Sequence, residues 1–156
     1  MPLNALVQIK QRRLQRAERE AQRQRTQLQA AQADKARCMA AHLAFQRDAR
    51  EEQQRLFAEH VGQLTDRRAL QHWHRQVGLL GAHEARLRAE VMVCEDALAQ
   101  QHTAHVQAQA KLAQARQEHD SFSQLRDQAN LRAARVAEHR QELELEECVL
   151  QGGGRP

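Results

Sequence analysis

Residues 70–98 read LQHWHRQVGLLGAHEARLRAEVMVCEDAL, and their spacing decides the fold. Leu70, Val77, Val91 and Leu98 fall at one position of a seven-residue repeat, and Trp73, Leu80, Leu87 and Cys94 fall at a second. Apolar residues at such a and d positions lie on one stripe of a helix and form the seam of a coiled coil. The register runs on toward the C-terminus. Leu112 and Ala133 continue a; Ala108, Ala115, Phe122, Ala129, Val136, Leu143 and Leu150 continue d; Glu84, Gln101, His105, His119, Arg126 and Arg140 are polar breaks.

The N-terminal half carries a thinner version of the same pattern. Val7, Leu14, Ala21, Leu28, His42, Ala49 and Leu56 fall at a, and Leu3, Ala17, Ala31, Cys38 and Phe45 at d. Lys10, Gln24, Lys35, Glu52 and Glu59 interrupt it. Ala at so many seam positions lets two helices approach closely but buries little area per layer.

Between the halves lies Gly62-Gln63-Leu64-Thr65-Asp66, the only internal stretch that reads as a turn. Gly62 suits the left-handed residue after a helix, and Thr65 or Asp66 suits the N-cap of the next. The expectation is an all-α chain: a long antiparallel two-helix coiled-coil hairpin over residues 1–151. Helix 1 spans about 3–61, the turn about 62–66 and helix 2 about 67–150, with a disordered tail at 152–156. Folding about residue 64 places position i near 128 − i or slightly beyond. At 1.5 Å per residue the second helix outreaches the first by roughly 35–40 Å. Ala133, Val136, Leu143 and Leu150 then lie on a seam face without an intramolecular mate. Such a stripe implies a partner.

Composition excludes most alternatives. Ala, Leu, Gln, Arg and Glu make up roughly two-thirds of the 156 residues, and the two Pro stand at positions 2 and 156. Aromatic residues are 3%, too few for an ordinary globular core. No apolar run approaches the ~20 residues of a membrane-spanning helix, and the N-terminus lacks the apolar core of a secretory signal. Three cysteines without framework spacing, Cys38, Cys94 and Cys148, fit reduced thiols in a cytosolic protein. Cys38 and Cys94 both fall at d and read as small seam hydrophobes.

The net charge of +4 is unevenly distributed. Lys10, Arg12, Arg13, Arg16, Arg19, Arg23 and Arg25 make the N-terminal segment basic; Glu138, Glu142, Glu144, Glu146 and Glu147 make residues 138–147 acidic. No phosphate loop, nucleophile elbow or dinucleotide fingerprint is present. No enzymatic activity or cofactor is expected. The nine histidines, including His102–His105 at i, i+3 and His72–His74 around Trp73, lack the closing ligands of a zinc site, so no metal is expected. Gly78 and Gly81 each cost about 1 kcal/mol against Ala in a helix. They are neutral on a well-supported helix, or they admit another chain close to the backbone.

Three stretches resemble a known family. Leu3-Asn4-Ala5-Leu6-Val7-Gln8-Ile9-Lys10, with Arg12-Arg13 and Ala17-Glu18, resembles the N-terminus of the YscO-type proteins of bacterial type III secretion. Arg55-Leu56-Phe57-Ala58-Glu59, Gly62, and then Leu70, Trp73, Val77, Leu79-Leu80 and Leu87 are similar to that family's hairpin end. Glu142-Leu143-Glu144-Leu145-Glu146-Glu147 is similar to its C-terminus.

The resemblance implies a cytoplasmic stalk protein at the inner-membrane secretion apparatus, akin to flagellar FliJ and to the coiled coil of the rotary ATPase γ subunit. It would be a monomer when free. The end bearing both termini would enter the ring of the secretion ATPase hexamer, the stalk would reach the cytoplasmic domain of the export gate, and substrate chaperones would be further partners. On that reading Leu3, Leu6, Ile9, Lys10, Arg12, Arg13, Val136 and Leu143 meet the ATPase. Phe57, Leu70, Trp73 and Val77 meet the gate. No nucleic acid and no membrane insertion are implied. The residues by themselves also fit a coiled-coil adaptor or chaperone that self-associates through the unpaired stripe, or an RNA-binding helical arm using the basic segment.

Overall fold

The computed structural model describes residues 2–60 and 66–154. They form two helices, α1 over Pro2–His60 and α2 over Arg67–Gly152, paired as an antiparallel hairpin. The expected turn residues Gly62, Gln63, Leu64 and Thr65 lie outside the described residues, as do Arg155 and Pro156 of the expected tail.

Local chemistry accounts for the helix ends. Pro2 sits in the first turn of α1, where its missing N–H costs nothing. At the other end His60 Nδ1 donates to the Leu56 carbonyl at 2.7 Å, satisfying an acceptor in the last turn. Asp66 is non-helical while its carbonyl accepts the Leu70 N–H at 3.2 Å, which makes it the N-cap of α2. Past α2, Gly153 N–H closes onto the Val149 carbonyl at 3.0 Å.

The chain divides into two compact units, Met1–Ala21 with Ala108–Pro156, and Gln22–Gln107. The first pairs the start of α1 with the later part of α2. Its buried residues are Val7, Ala21, Ala108 and Leu112, all at a or d. Lys10 faces Glu118 in this unit, a pair symmetric about residue 64. The second unit buries Ala49 and Leu56, again seam positions. Here Phe45 faces His83 with ring centroids 4.3 Å apart, also symmetric about residue 64.

The heptad register holds through the polar breaks. In α1 Lys10, Gln24, Lys35 and Glu52 are half-buried on the seam like their apolar neighbours, and of these interruptions only Glu59 is exposed. The hydrogen bonds explain how polar groups are tolerated there. In one unit Lys10 Nζ donates to Glu118 at 2.9 Å and lies 5.1 Å from the Phe122 ring centroid. In the other, Gln101 donates its amide to the Gln24 side chain, and Gln46 donates to Glu84 at 2.9 Å. Buried polar groups that keep partners avoid most of the desolvation penalty. Among the apolar seam positions of the paired stretch, Leu70 departs: expected at a, it is 46% exposed, and the small Ala69 beside it turns inward.

Candidate interaction surfaces

All eight residues expected to meet the ATPase belong to the unit containing both ends of the chain. Leu6, Ile9, Arg12 and Arg13 present themselves outward on α1. Leu3 and Lys10 are half-buried against the seam. Lys10 is committed to Glu118: that hydrogen bond, reinforced by the ammonium charge, holds the Glu118 carboxyl below the usual glutamate range. Its charge therefore fastens α1 to α2, and Arg12, Arg13, Arg16 and Arg19 carry exposed positive charge along this part of α1.

The other half of this surface lies on α2. With 86 residues against 59, α2 outlasts α1, and every residue from Asn130 to Gly154 is exposed. Val136 is 54% and Leu143 46% exposed. The apolar surface is broader than the heptad stripe. Leu131, Leu145 and Val149 are exposed beside it, and Leu145, Val149 and Leu150 line a shallow groove with Glu146. The seam pattern alone does not single out these positions. Their signal is the i, i+4 spacing of Leu145 and Val149, which stacks two apolar side chains on one helix face. Glu138, Glu142, Glu144, Glu146 and Glu147 are all exposed along the same stretch.

The four residues expected at the gate belong to the other unit, and they divide. Phe57 is 64% exposed and Leu70 also faces outward, whereas Trp73 and Val77 are half-buried on the seam. Among the described residues Trp73 Nε1 is buried without a hydrogen-bond partner, and its ring lies 5.2 Å from that of His74. An open groove nearby is lined by Phe45, Leu56, Leu79, Leu80 and His83, with Glu52 and Gln76 at its polar edge. Gly78 and Gly81 are exposed, and a Cβ built at either meets nothing within 4 Å. Among the described residues, packing requires neither glycine.

His42, His105 and His119 are half-buried on the seam, and among the described residues His42 Nε2 and His105 Nδ1 have no hydrogen-bond partner. His42 Nε2 is 3.8 Å from Glu84, and His119 Nδ1 is 3.4 Å from Asp120. The Glu84 carboxyl is held below its usual range, first by the Gln46 amide and then by the Arg88 and His42 charges. Among the described residues no three His, Cys, Asp or Glu side chains gather as metal ligands would. None of the described helices is long and apolar enough to cross a membrane.

Comparison with known proteins agrees with this architecture. The 2.8 Å crystal structure of the type III secretion protein YscO from Vibrio parahaemolyticus is similar with a TM-score of 0.83 and 28% identity, over 93% of this chain and 91% of that one. Comparison with curated proteins gives no match. The profile of the family described as type III secretion protein YscO matches residues 3–151. A match over nearly the whole chain places the protein in the YscO family, with a role in type III secretion.

Proposed function

We propose that the protein is a coupling stalk of the secretion apparatus that has no chemistry of its own. The unit carrying both chain ends docks in the ring of the secretion ATPase, the Phe57–Val77 region engages the cytoplasmic domain of the export gate, and substrate chaperones bind the remaining helical surface. The observation that carries this reading is the stretch 130–154, helical to Gly152, exposed throughout and bearing Val136, Leu143, Leu145 and Leu150. A helix face of that kind suits insertion between other helices. The exposed Arg12 and Arg13 on α1 and the glutamates of α2 add charges of both signs. Such contacts favour orientation and rapid exchange over tight adhesion.

The test is a pull-down and ATPase assay with the purified chain and the secretion ATPase of the same system. Binding and stimulation are expected. Val136→Asp with Leu143→Asp should abolish both and leave gate binding intact, and Phe57→Ala with Leu70→Ala should do the reverse. Loss of both activities in both variants would sink the division of labour. Failure of the unaltered chain to bind the ATPase would sink the stalk reading. Self-association through the same stripe would instead give a concentration-dependent dimer in light scattering. Use of the basic segment on RNA would give binding that weakens steeply with salt.

A further inference from the structure

Two thiols face one another across the helices in the unit Gln22–Gln107. Cys38 on α1 and Cys94 on α2 both occupy d positions, and their Sγ atoms lie 2.9 Å apart, closer than sulfurs rest in ordinary contact. A disulfide bond is about 2.05 Å long, so closure requires the sulfurs to approach by roughly 0.9 Å. Both side chains are half-buried, at the edge of a seam only two helices wide, so a small molecule can reach them from the side.

We propose that Cys38 and Cys94 are a modification site: a reversible interhelical disulfide, formed by exchange with a low-molecular-weight disulfide of the glutathione type and reopened by the corresponding thiol. In the first step the Cys38 thiolate attacks one sulfur of the small disulfide. The small S–S bond breaks, one small thiolate leaves and takes a proton, and a mixed disulfide remains on Cys38. In the second step Cys94 gives up its proton to solvent, and its sulfur attacks the Cys38 sulfur. The mixed bond breaks, the second small thiol leaves, and the Cys38–Cys94 bond forms. The protein is oxidised by two electrons and the small disulfide is reduced by two.

The surroundings govern the speed of this chemistry. Hydrogen bonding to Cys38 and then burial push the Cys94 thiol up to about 11, with Asp34 raising it further and Arg37 opposing. In the reduced pair Cys94 is therefore protonated near neutrality. Once Cys38 carries the small thiol that hydrogen bond is gone, and the rate of closure follows the Cys94 thiolate fraction, which rises with pH. Once closed, the bond ties α1 to α2 at a single layer and forbids sliding of one helix along the other.

The full-length chain is incubated with glutathione disulfide and analysed by mass spectrometry without reductant. The expected product lacks two hydrogens, apart from any adduct on the exposed Cys148, and tryptic peptides 38–47 and 89–111 are joined. Cross-linking should accelerate as pH rises from 7 to 9, following the thiolate fraction. Cys94→Ser should stop at a stable glutathione adduct on Cys38. Adducts on Cys38 and Cys94 without a cross-link would overturn the proposal. So would unmodified Cys38 and Cys94 beside a fully modified Cys148, or cross-links confined to different chains.

Discussion

The seam assignment makes a quantitative prediction at Leu112. This residue is 7% exposed at an a position in the unit that contains both chain ends, whereas Leu131 in the same unit is 59% exposed. Truncating a buried leucine to alanine removes its transfer energy and leaves a partial cavity, together about 2–5 kcal/mol. A two-helix seam is open on both flanks, so water or neighbouring side chains can refill the gap, and the low end applies. Leu112→Ala should therefore lose about 2–3 kcal/mol. Leu131→Ala, whose surface is already mostly wet, should stay within about 0.5 kcal/mol. Urea denaturation followed by circular dichroism at the helix band reads both, with the slope checked for constancy so that a midpoint shift means stability. Equal losses at the two positions would refute the claim that seam burial at Leu112 holds α1 against α2. A large loss at Leu131 alone would mean that the 130–154 stretch is packed in the isolated chain.

Other outcomes follow from the same geometry. Gly78→Ala and Gly81→Ala should each stabilise by about 0.5–1 kcal/mol, because a Cβ meets nothing there and the helix gains propensity; destabilisation in urea melts would show that something packs on that face. The Glu118 carboxyl is held low by Lys10, so the stabilisation it provides is present above the unfolded glutamate pKa and disappears as pH falls through the lower folded value. Lys10→Met should flatten the acid limb of a helicity titration in this unit; an unchanged acid limb would count against the pairing. Closing Cys38–Cys94 links residues 56 apart in the chain and should add about 4 kcal/mol of stability, read as a higher urea midpoint that dithiothreitol reverses. Amide exchange should be fastest over residues 130–152 and slow across Val7–Ala21 and Ala108–Leu112; uniform protection along α2 would contradict the exposure described.

Much of this architecture is legible in the sequence because a coiled coil is specified by a period. The a and d positions read from Trp73, Leu80, Leu87 and Cys94 predict inward faces through Ala129, and the structure keeps them there. The polar breaks looked like interruptions because a single residue gives no view of its partner. Gln24 is acceptable on the seam because Gln101 meets it from a segment 77 residues away. Leu70 misled for a different reason. At the first turn of α2 the small Ala69 turns inward, and the larger side chain stays out in solvent. The surface on α2 was legible as a stripe but not in its width, since Leu131, Leu145 and Val149 sit off the seam register. The Cys38–Cys94 layer could be placed from the sequence to within a few residues, yet the sulfur separation depends on rotamers that no pattern encodes.

The polar seam residues also answer a problem that the alanines create. Alanine layers resemble one another, so sliding α2 by one heptad against α1 would change apolar burial little. The polar pairs change it sharply. Lys10 now meets Glu118; a slip of seven residues in one direction would set it against Lys111, and in the other against Leu125. Gln24 would trade Gln101 for Cys94 or Ala108, and Gln46 would trade Glu84 for Val77 or Val91. Each slipped register breaks these cross-helix hydrogen bonds and, in one case, opposes two ammonium groups. A hydrogen bond to a charged group is worth about 1.5–3 kcal/mol, more than one alanine layer differs from the next. Single polar residues at seam positions set register in this way in other coiled coils, at some cost in stability. In this hairpin the Ala-rich seam brings the helices together, and Lys10, Gln24 and Gln46 decide where along their length they stop.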